Sequence, residues 1–185
     1  SLYRSQRRGG KGVTGMTTRQ EDFVEHLFVA STHSHILFFT SSGKVFWQKV
    51  YELPQAGRAA MGKAIVNLLN LSPDEGLAAI LAVREFVEGK YIVMATRKGL
   101  IKKTPLMAYS RPRAGGIIAL SIDADDELIA ARVTDGSQDI LLGSREGKAI
   151  RFKETEVRPM GRTARGVRGM TVGKNDVIIG MEAIG

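Results

Sequence analysis

The chain has 185 residues, 27 Lys and Arg against 19 Asp and Glu, a net charge of +8 and no cysteine. That length, with 43% hydrophobic residues, suits a single soluble domain with a sizeable core. A disulfide scaffold, a thiol nucleophile, an iron–sulfur cluster and a cysteine-ligated zinc finger are excluded. The apolar runs Ile36–Phe39 and Leu77–Val83 fall far short of the roughly 18 residues that span a bilayer. Ser1–Gly12 is polar and basic, unlike a signal peptide, and a start at Ser1 in place of Met reads as a piece of something longer.

In chain order, the first feature is Gln6-Arg7-Arg8-Gly9-Gly10-Lys11-Gly12, three cations among three glycines. Strand candidates follow, short and rich in branched or aromatic residues: Leu27–Ser31, His35–Thr40 and Val45–Gln48, with a Gly43 turn between the last two. A basic loop, Gln55–Gly62 with Arg58 and then Lys63, leads to the strand Ile65–Leu69. Pro73–Glu88 comes nearest to a helix, but Gly76 and the β-like Ala79–Val83 argue against one. Tyr91–Ala95 is a strand ahead of a Gly99 turn, and the loop Arg111–Gly116, with Arg113, precedes the strand Ile117–Ile122. Leu128–Val133, Ile140–Leu142 and Ala149–Phe152 are strands, the last two around a Gly147 turn. The loop Met160–Gly166 carries Arg162 and Arg165, Arg168 follows, and Val177–Met181 is the last strand.

These elements repeat about every fifty residues. Gly12-Val13-Thr14-Gly15-Met16 returns as Gly166-Val167-Arg168-Gly169-Met170, and Gly62 and Gly116 fall between as further anchors. Acidic turns recur at Asp22, Asp74-Glu75, Asp126-Glu127 and Asp176, each before an apolar run. Each copy reads as hairpin, basic Gly-containing loop, apolar strand, acidic turn, apolar strand. Four short strands per copy predict an all-β fold of propeller-like blades about an axis. Charge follows the same period. Four acid-free windows (1–20, 53–73, 89–122 and 157–175) hold 19 of the 27 basic residues. The basic loops therefore form a track along one edge of successive blades. Side-chain-free glycines let backbone amides approach phosphates while guanidinium groups fork onto the oxygens. Such a track suits duplex DNA bent around the protein, bound through counterion release and unread in sequence. With aromatics at 6% and mostly in strand interiors, single-stranded RNA fits less well.

Other motifs carry no chemistry. Gly10–Gly15 matches G-x-G-x-x-G formally, but no strand precedes it and no helix follows. His26, His33 and His35 have only Glu25 beside them and read as ordinary surface or turn residues. No catalytic constellation and no metal site stand out.

Gln6–Gly12 resembles, at every position, the seven-residue Q-[KR]-R-G-G-[KR]-G box of the C-terminal domain of the DNA gyrase A subunit. Thr32–Leu37, Ile65–Leu69, Met94–Thr96, Val133–Gly136, Gly147–Glu154 and Gly166–Gly169 are similar to that domain as well. The resemblance implies a β-pinwheel of four-stranded blades over residues 1–185, truncated relative to a family ring of six, with DNA wrapped on its basic rim. It assigns DNA contact to Gln6, Arg7, Arg8, Gly9, Gly10, Lys11 and Gly12. The loop pattern adds Arg58, Lys63, Arg111, Arg113, Arg162, Arg165 and Arg168. The resemblance further implies a bacterial cytoplasmic, nucleoid-associated protein. Its partners are double-stranded DNA, the rest of the gyrase A subunit, plus the gyrase B subunit in an A2B2 assembly, with no membrane. The chain itself would need no cofactor, ATP and Mg2+ acting elsewhere in the holoenzyme. The alternatives are the blade domain of topoisomerase IV, which lacks an intact box, and a propeller-type interaction domain with an acidic partner.

Overall fold

The computed structural model describes residues 35–49, 75–113 and 115–185. The predicted strands Leu27–Ser31 and Ile65–Leu69 and the box Gln6–Gly12 lie outside them. Eleven strands occur among the described residues, with two 3-10 turns and no α-helix. β1 (His35–Thr40), β2 (Lys44–Lys49) and β3 (Leu77–Val83) begin the first sheet. β4 (Tyr91–Thr96), β5 (Leu100–Pro105) and β7 (Leu128–Thr134) belong to the second. β8 (Asp139–Ser144), β9 (Ala149–Lys153) and β11 (Ile178–Ile184) make the third. Two short strands, β6 (Ile117–Ile118) and β10 (Val167–Arg168), complete the first and second sheets.

The sheet order is β3-β1-β2-β6, then β10-β5-β4-β7, then β11-β8-β9, all paired antiparallel. The expected order of elements within a copy is observed, but its strands are shared out differently. After the basic loop the chain crosses to the preceding sheet, pairs briefly on its outer edge, and returns to its own sheet through the acidic turn. β6 pairs Lys44 and Val45 of β2, and β10 pairs Ile101 and Leu100 of β5. The predicted strand Ile117–Ile122 is thus only two residues long, because from Ala119 onward the chain turns inward. Pro73–Glu88 resolves, over its described part, into β3. Its buried residues Ala79, Leu81 and Val83 alternate as a strand requires.

Packing explains why β4 is a nearly continuous apolar run. It has a neighbouring sheet on each face, so both sets of its alternating side chains are buried. Ile92 and Met94 join Leu37, Phe39, Leu81, Leu120 and Leu128 between the first and second sheets. Val93 and Ala95 join Ile140, Leu142, Ile178 and Met181 between the second and third. A single strand serves two cores.

Backbone bonds join the sheets in a repeated pattern. Leu128 N–H donates to Ser41 O at 2.9 Å, and Ile178 N–H does the same to Arg97 O at 2.8 Å. Ala119 N–H donates to Gly43 O at 2.7 Å, and Gly169 N–H to Gly99 O at 2.8 Å. The acidic turns hold the hairpin turns. Asp126 Oδ1 accepts from Lys98 N–H at 3.0 Å, and Asp176 Oδ1 accepts from Glu146 N–H at 3.0 Å. Glu75 takes this place in the first sheet, accepting from Thr40 Oγ1 at 2.8 Å. The recurring carboxylates are turn clamps.

Candidate nucleic-acid interface

Two basic loops fall among the described residues, and they occupy equivalent places. Each leaves the outer strand of a hairpin through a 3-10 turn: Leu106–Tyr109 after β5, and Glu154–Glu156 after β9. Each ends on a glycine at positive φ, Gly116 at +79° and Gly166 at +88°. At both, the adjoining hairpin leaves no room for a side chain. A Cβ on Gly116 would stand 2.7 Å from the Phe46 ring, and one on Gly166 would stand 2.5 Å from Ile101 O. These glycines let the chain press against the neighbouring sheet before it pairs. The two basic loops therefore run directly into β6 and β10, the edge strands opposite β3 and β7 in their sheets.

The sequence-predicted residues behave differently there. Arg111 and Arg113 are exposed, and their side chains make no hydrogen bond or ion pair with the described residues. Arg162 is half-buried and donates from Nη1 to Ile118 O at 2.7 Å. Arg165 pairs with Asp123. Arg168, exposed on β10, donates to Lys98 O at 3.3 Å. Gln6, Arg7, Arg8, Gly9, Gly10, Lys11, Gly12, Arg58 and Lys63 lie outside the described residues.

The loop carrying Arg162 and Arg165 is also tied to the preceding copy. Ser121 donates from N–H to Ala164 O at 3.1 Å and from Oγ to Thr163 O at 2.7 Å. These bonds seat the basic loop that follows β9 on the segment just past β6. Beside β10, Arg97, Lys98, Arg168 and Lys174 line an open pocket with Asp125 and Asp176. The hydrogen bond and charge of Lys98 hold Asp125 below the usual carboxylate range.

Counting bases along the chain overstated the track in one window. Within residues 89–122, Lys102 and Lys103 are buried, at 0% and 4% exposure, and offer nothing to a phosphate at the surface. Lys103 faces the third sheet, where its Nζ lies 3.2 Å from Glu154 Oε1 and 4.4 Å from the centre of the Tyr91 ring. Lys102 faces the other way, onto carbonyl oxygens. A signal was present. Adjacent residues of a strand point to opposite faces, so two lysines in a row on a strand between two sheets cannot both reach solvent.

Among the described residues no cluster of three His, Asp or Glu is placed to hold a metal ion, and no helix is long and apolar enough to cross a membrane.

Known proteins share this architecture. The chain is 50% identical over 179 residues to the DNA gyrase A subunit of Salmonella typhimurium, covering 97% of this chain and 20% of that one. It is 51% identical over 176 residues to the corresponding subunit of Haemophilus influenzae, covering 95% and 20%. That of Clostridium acetobutylicum is 49% identical over 167 residues, covering 90% and 20%. The chain thus spans about a fifth of the length of these relatives. Among solved structures, the C-terminal domain of DNA topoisomerase IV superposes with a TM-score of 0.75 at 30% identity, over 83% of this chain and 48% of that one. The DNA gyrase A C-terminal domain superposes at 0.68 with 21% identity, over 83% and 49%, a likeness of fold. The family described as DNA gyrase C-terminal domain, beta-propeller, matches residues 1–31, 34–84, 90–135 and 138–184, and the last three segments coincide with the repeats around β1–β3, β4–β7 and β8–β11. With nearly its whole length matched repeat by repeat, the chain belongs to the DNA gyrase C-terminal domain family.

Proposed function

We propose that residues 1–185 act as one β-pinwheel module that bends duplex DNA around its outer edge. The module has no active site of its own and serves an ATP-dependent, Mg2+-dependent gyrase in a bacterial cytoplasm, where it lies close to the nucleoid. The rest of the gyrase A subunit, together with the gyrase B subunit, would complete an A2B2 assembly. Wrapping in one hand there lets strand passage introduce negative supercoils. The observation that carries this reading is the equivalence of the two described basic loops. They sit at the same outer place on successive repeats, so their cations follow a curve. The intact box Gln6–Gly12 stands at the corresponding place in the sequence repeat and favours gyrase over topoisomerase IV.

Phosphate contacts of this kind give sequence-independent affinity that falls steeply with salt. Bending costs on the order of a few kcal/mol per 20–30 bp, so many contacts must share it. The test is topological. A nicked plasmid is bound by the chain, religated and deproteinised, and its linking number is compared with that of a protein-free control. A shift of one sign that grows to saturation is expected, whereas binding without any shift would overturn wrapping. Replacing Arg7, Arg8 and Lys11 by Ala should lower the shift more than it lowers binding.

A further inference from the structure

Lys102 is fully buried in the middle of β5. Its Nζ donates to Ala119 O at 2.6 Å, to Gly161 O at 3.1 Å and to Arg162 O. An ammonium has three N–H donors, and here all three are used on main-chain carbonyls. Two of the acceptors belong to the basic loop that follows β9. The third belongs to the segment just past β6, on which that loop rests. No carboxylate is among its partners within the described residues. The equivalent positions of the sister hairpins, three residues after Gly43 and Gly147, are Phe46 and Ile150. The repeat therefore places an apolar side chain here, and lysine is a departure confined to this seam.

Stability does not explain that departure. A buried cation without a counter-ion is harder to accommodate than an apolar side chain of similar size. What the ammonium adds is a fixed course for a loop that has no regular structure of its own. Resting on the DNA reading above, we infer that Lys102 is a positioning residue for phosphate binding, its ammonium clasping the basic loop so that exposed Arg158 and Arg165 meet the duplex at a fixed place.

The clasp depends on the charge. Burial, aided by the like charge of Arg162, lowers Lys102 to about 7. The groups facing it are Arg162 from the basic loop and Tyr109 from the 3-10 turn after β5. The Tyr109 hydroxyl donates to the same Ala119 O at 3.1 Å, and burial pushes its ionisation up, so it stays neutral. Lys103 on β5 points to the opposite face and Glu154. Asp123 and Arg168, on the neighbouring segments, are engaged with Arg165 and with Lys98 O. A neutral amine offers two donors and turns a lone pair toward the third carbonyl, so one tether is lost above that pH.

The sign separates this role from a structural one. The folded value lies below the ordinary 10.5, so the unfolded chain binds more protons between about 7 and 10.5, and this group makes the fold more stable as pH rises. Positioning runs the other way, with DNA binding weakening as the ammonium is lost.

Anisotropy of a labelled duplex, titrated with the 185-residue chain at fixed ionic strength from pH 6 to 9, tests this. Affinity should fall about tenfold across the range, the loss of one charged hydrogen bond expressed as a ratio. Lys102→Met should bind about tenfold more weakly at pH 6 and lose the dependence, its salt slope smaller by about one phosphate contact. Ile140→Val, a core change away from the loop, should keep the parent profile. Histidines remain in every variant, so their contribution cancels. Salt-sensitive binding with a flat parent profile, or a Lys102→Met profile like the parent's, overturns the proposal alone. No salt-sensitive binding by the parent overturns the DNA reading and the proposal together. Should Lys102→Met fail to fold, NMR of ε-13C-lysine in the parent decides. The lysine titrating near 7 should move upward on adding duplex, by linkage, and a midpoint indifferent to duplex overturns the proposal.

Discussion

At Gly166 the backbone stands at φ +88°, and an added Cβ would lie 2.5 Å from Ile101 O. Two penalties combine there, since an L side chain is strained at that φ and the carbonyl belongs to a paired strand that cannot withdraw. Gly166→Ala should therefore destabilise the chain by about 3 kcal/mol, read as a lowered denaturant midpoint with unchanged slope. Gly116 differs in one respect, because its obstacle is the edge of the Phe46 ring. Gly116→Ala with Phe46→Leu should recover part of the loss, and only the part due to overlap. Both glycines were visible in the sequence as repeat anchors. Their reason, the approach of one repeat to the hairpin of another, was not, because it depends on contacts some 60–70 residues apart in sequence.

The hairpin turn and the acidic turn act as one element. Asp126 Oδ1 accepts from Lys98 N–H at 3.0 Å and from its neighbour Glu127 N–H at 2.8 Å. Asp126→Ala leaves both donors without that partner and should cost about 1–3 kcal/mol in chemical denaturation. Asp176 repeats the arrangement, accepting from Glu146 N–H and from Val177 N–H at 2.9 Å. The Ser144 side chain beside it, then the backbone donors of Glu146 and Val177 and the charge of Lys148, hold Asp176 below the usual carboxylate range. Its stabilising effect is present above the unfolded carboxylate value and is lost as pH falls through the lower folded one. Asp176→Asn should lower the melting temperature at pH 7 and flatten its decline as pH falls below about 4. An equally steep acid decline in the variant would show that another carboxylate governs it.

Across the whole molecule, the second and third sheets share a buried polar knot. Glu154 receives Thr134 Oγ1 at 2.9 Å and Gln138 N–H at 2.8 Å, and Lys103 Nζ lies 3.2 Å away. Removing one partner strands the other in a buried seam. Lys103→Met should cost about 3–5 kcal/mol, whereas Lys103→Met with Glu154→Leu should restore much of that loss. A double variant as unstable as the single would show that the hydrogen bonds to Glu154, not its charge pairing, hold the seam. The cost to DNA binding should be small if the basic loop keeps its Lys102 clasp, and anisotropy on the same variants separates the two lysines.

The strand chemistry, the fifty-residue period, the hairpin turns and the clustering of cations in loops were all legible in the sequence, because each is a local pattern of residue type and spacing. The exposure of Arg111, Arg113 and Arg168 agrees with the same pattern. Tertiary structure alone decided which sheet each strand joins. β6 and β10 are two residues long, and what pairs them to the preceding repeat is a backbone approach that leaves little trace in local composition. It also decided which cations face solvent. A lysine reads alike on a rim and between packed segments, and only distant segments make Lys102 a clasp and Lys103 half of a buried pair. Local physics determined that the chain is a basic blade repeat, and burial by distant segments determined which of its charges are available to a partner.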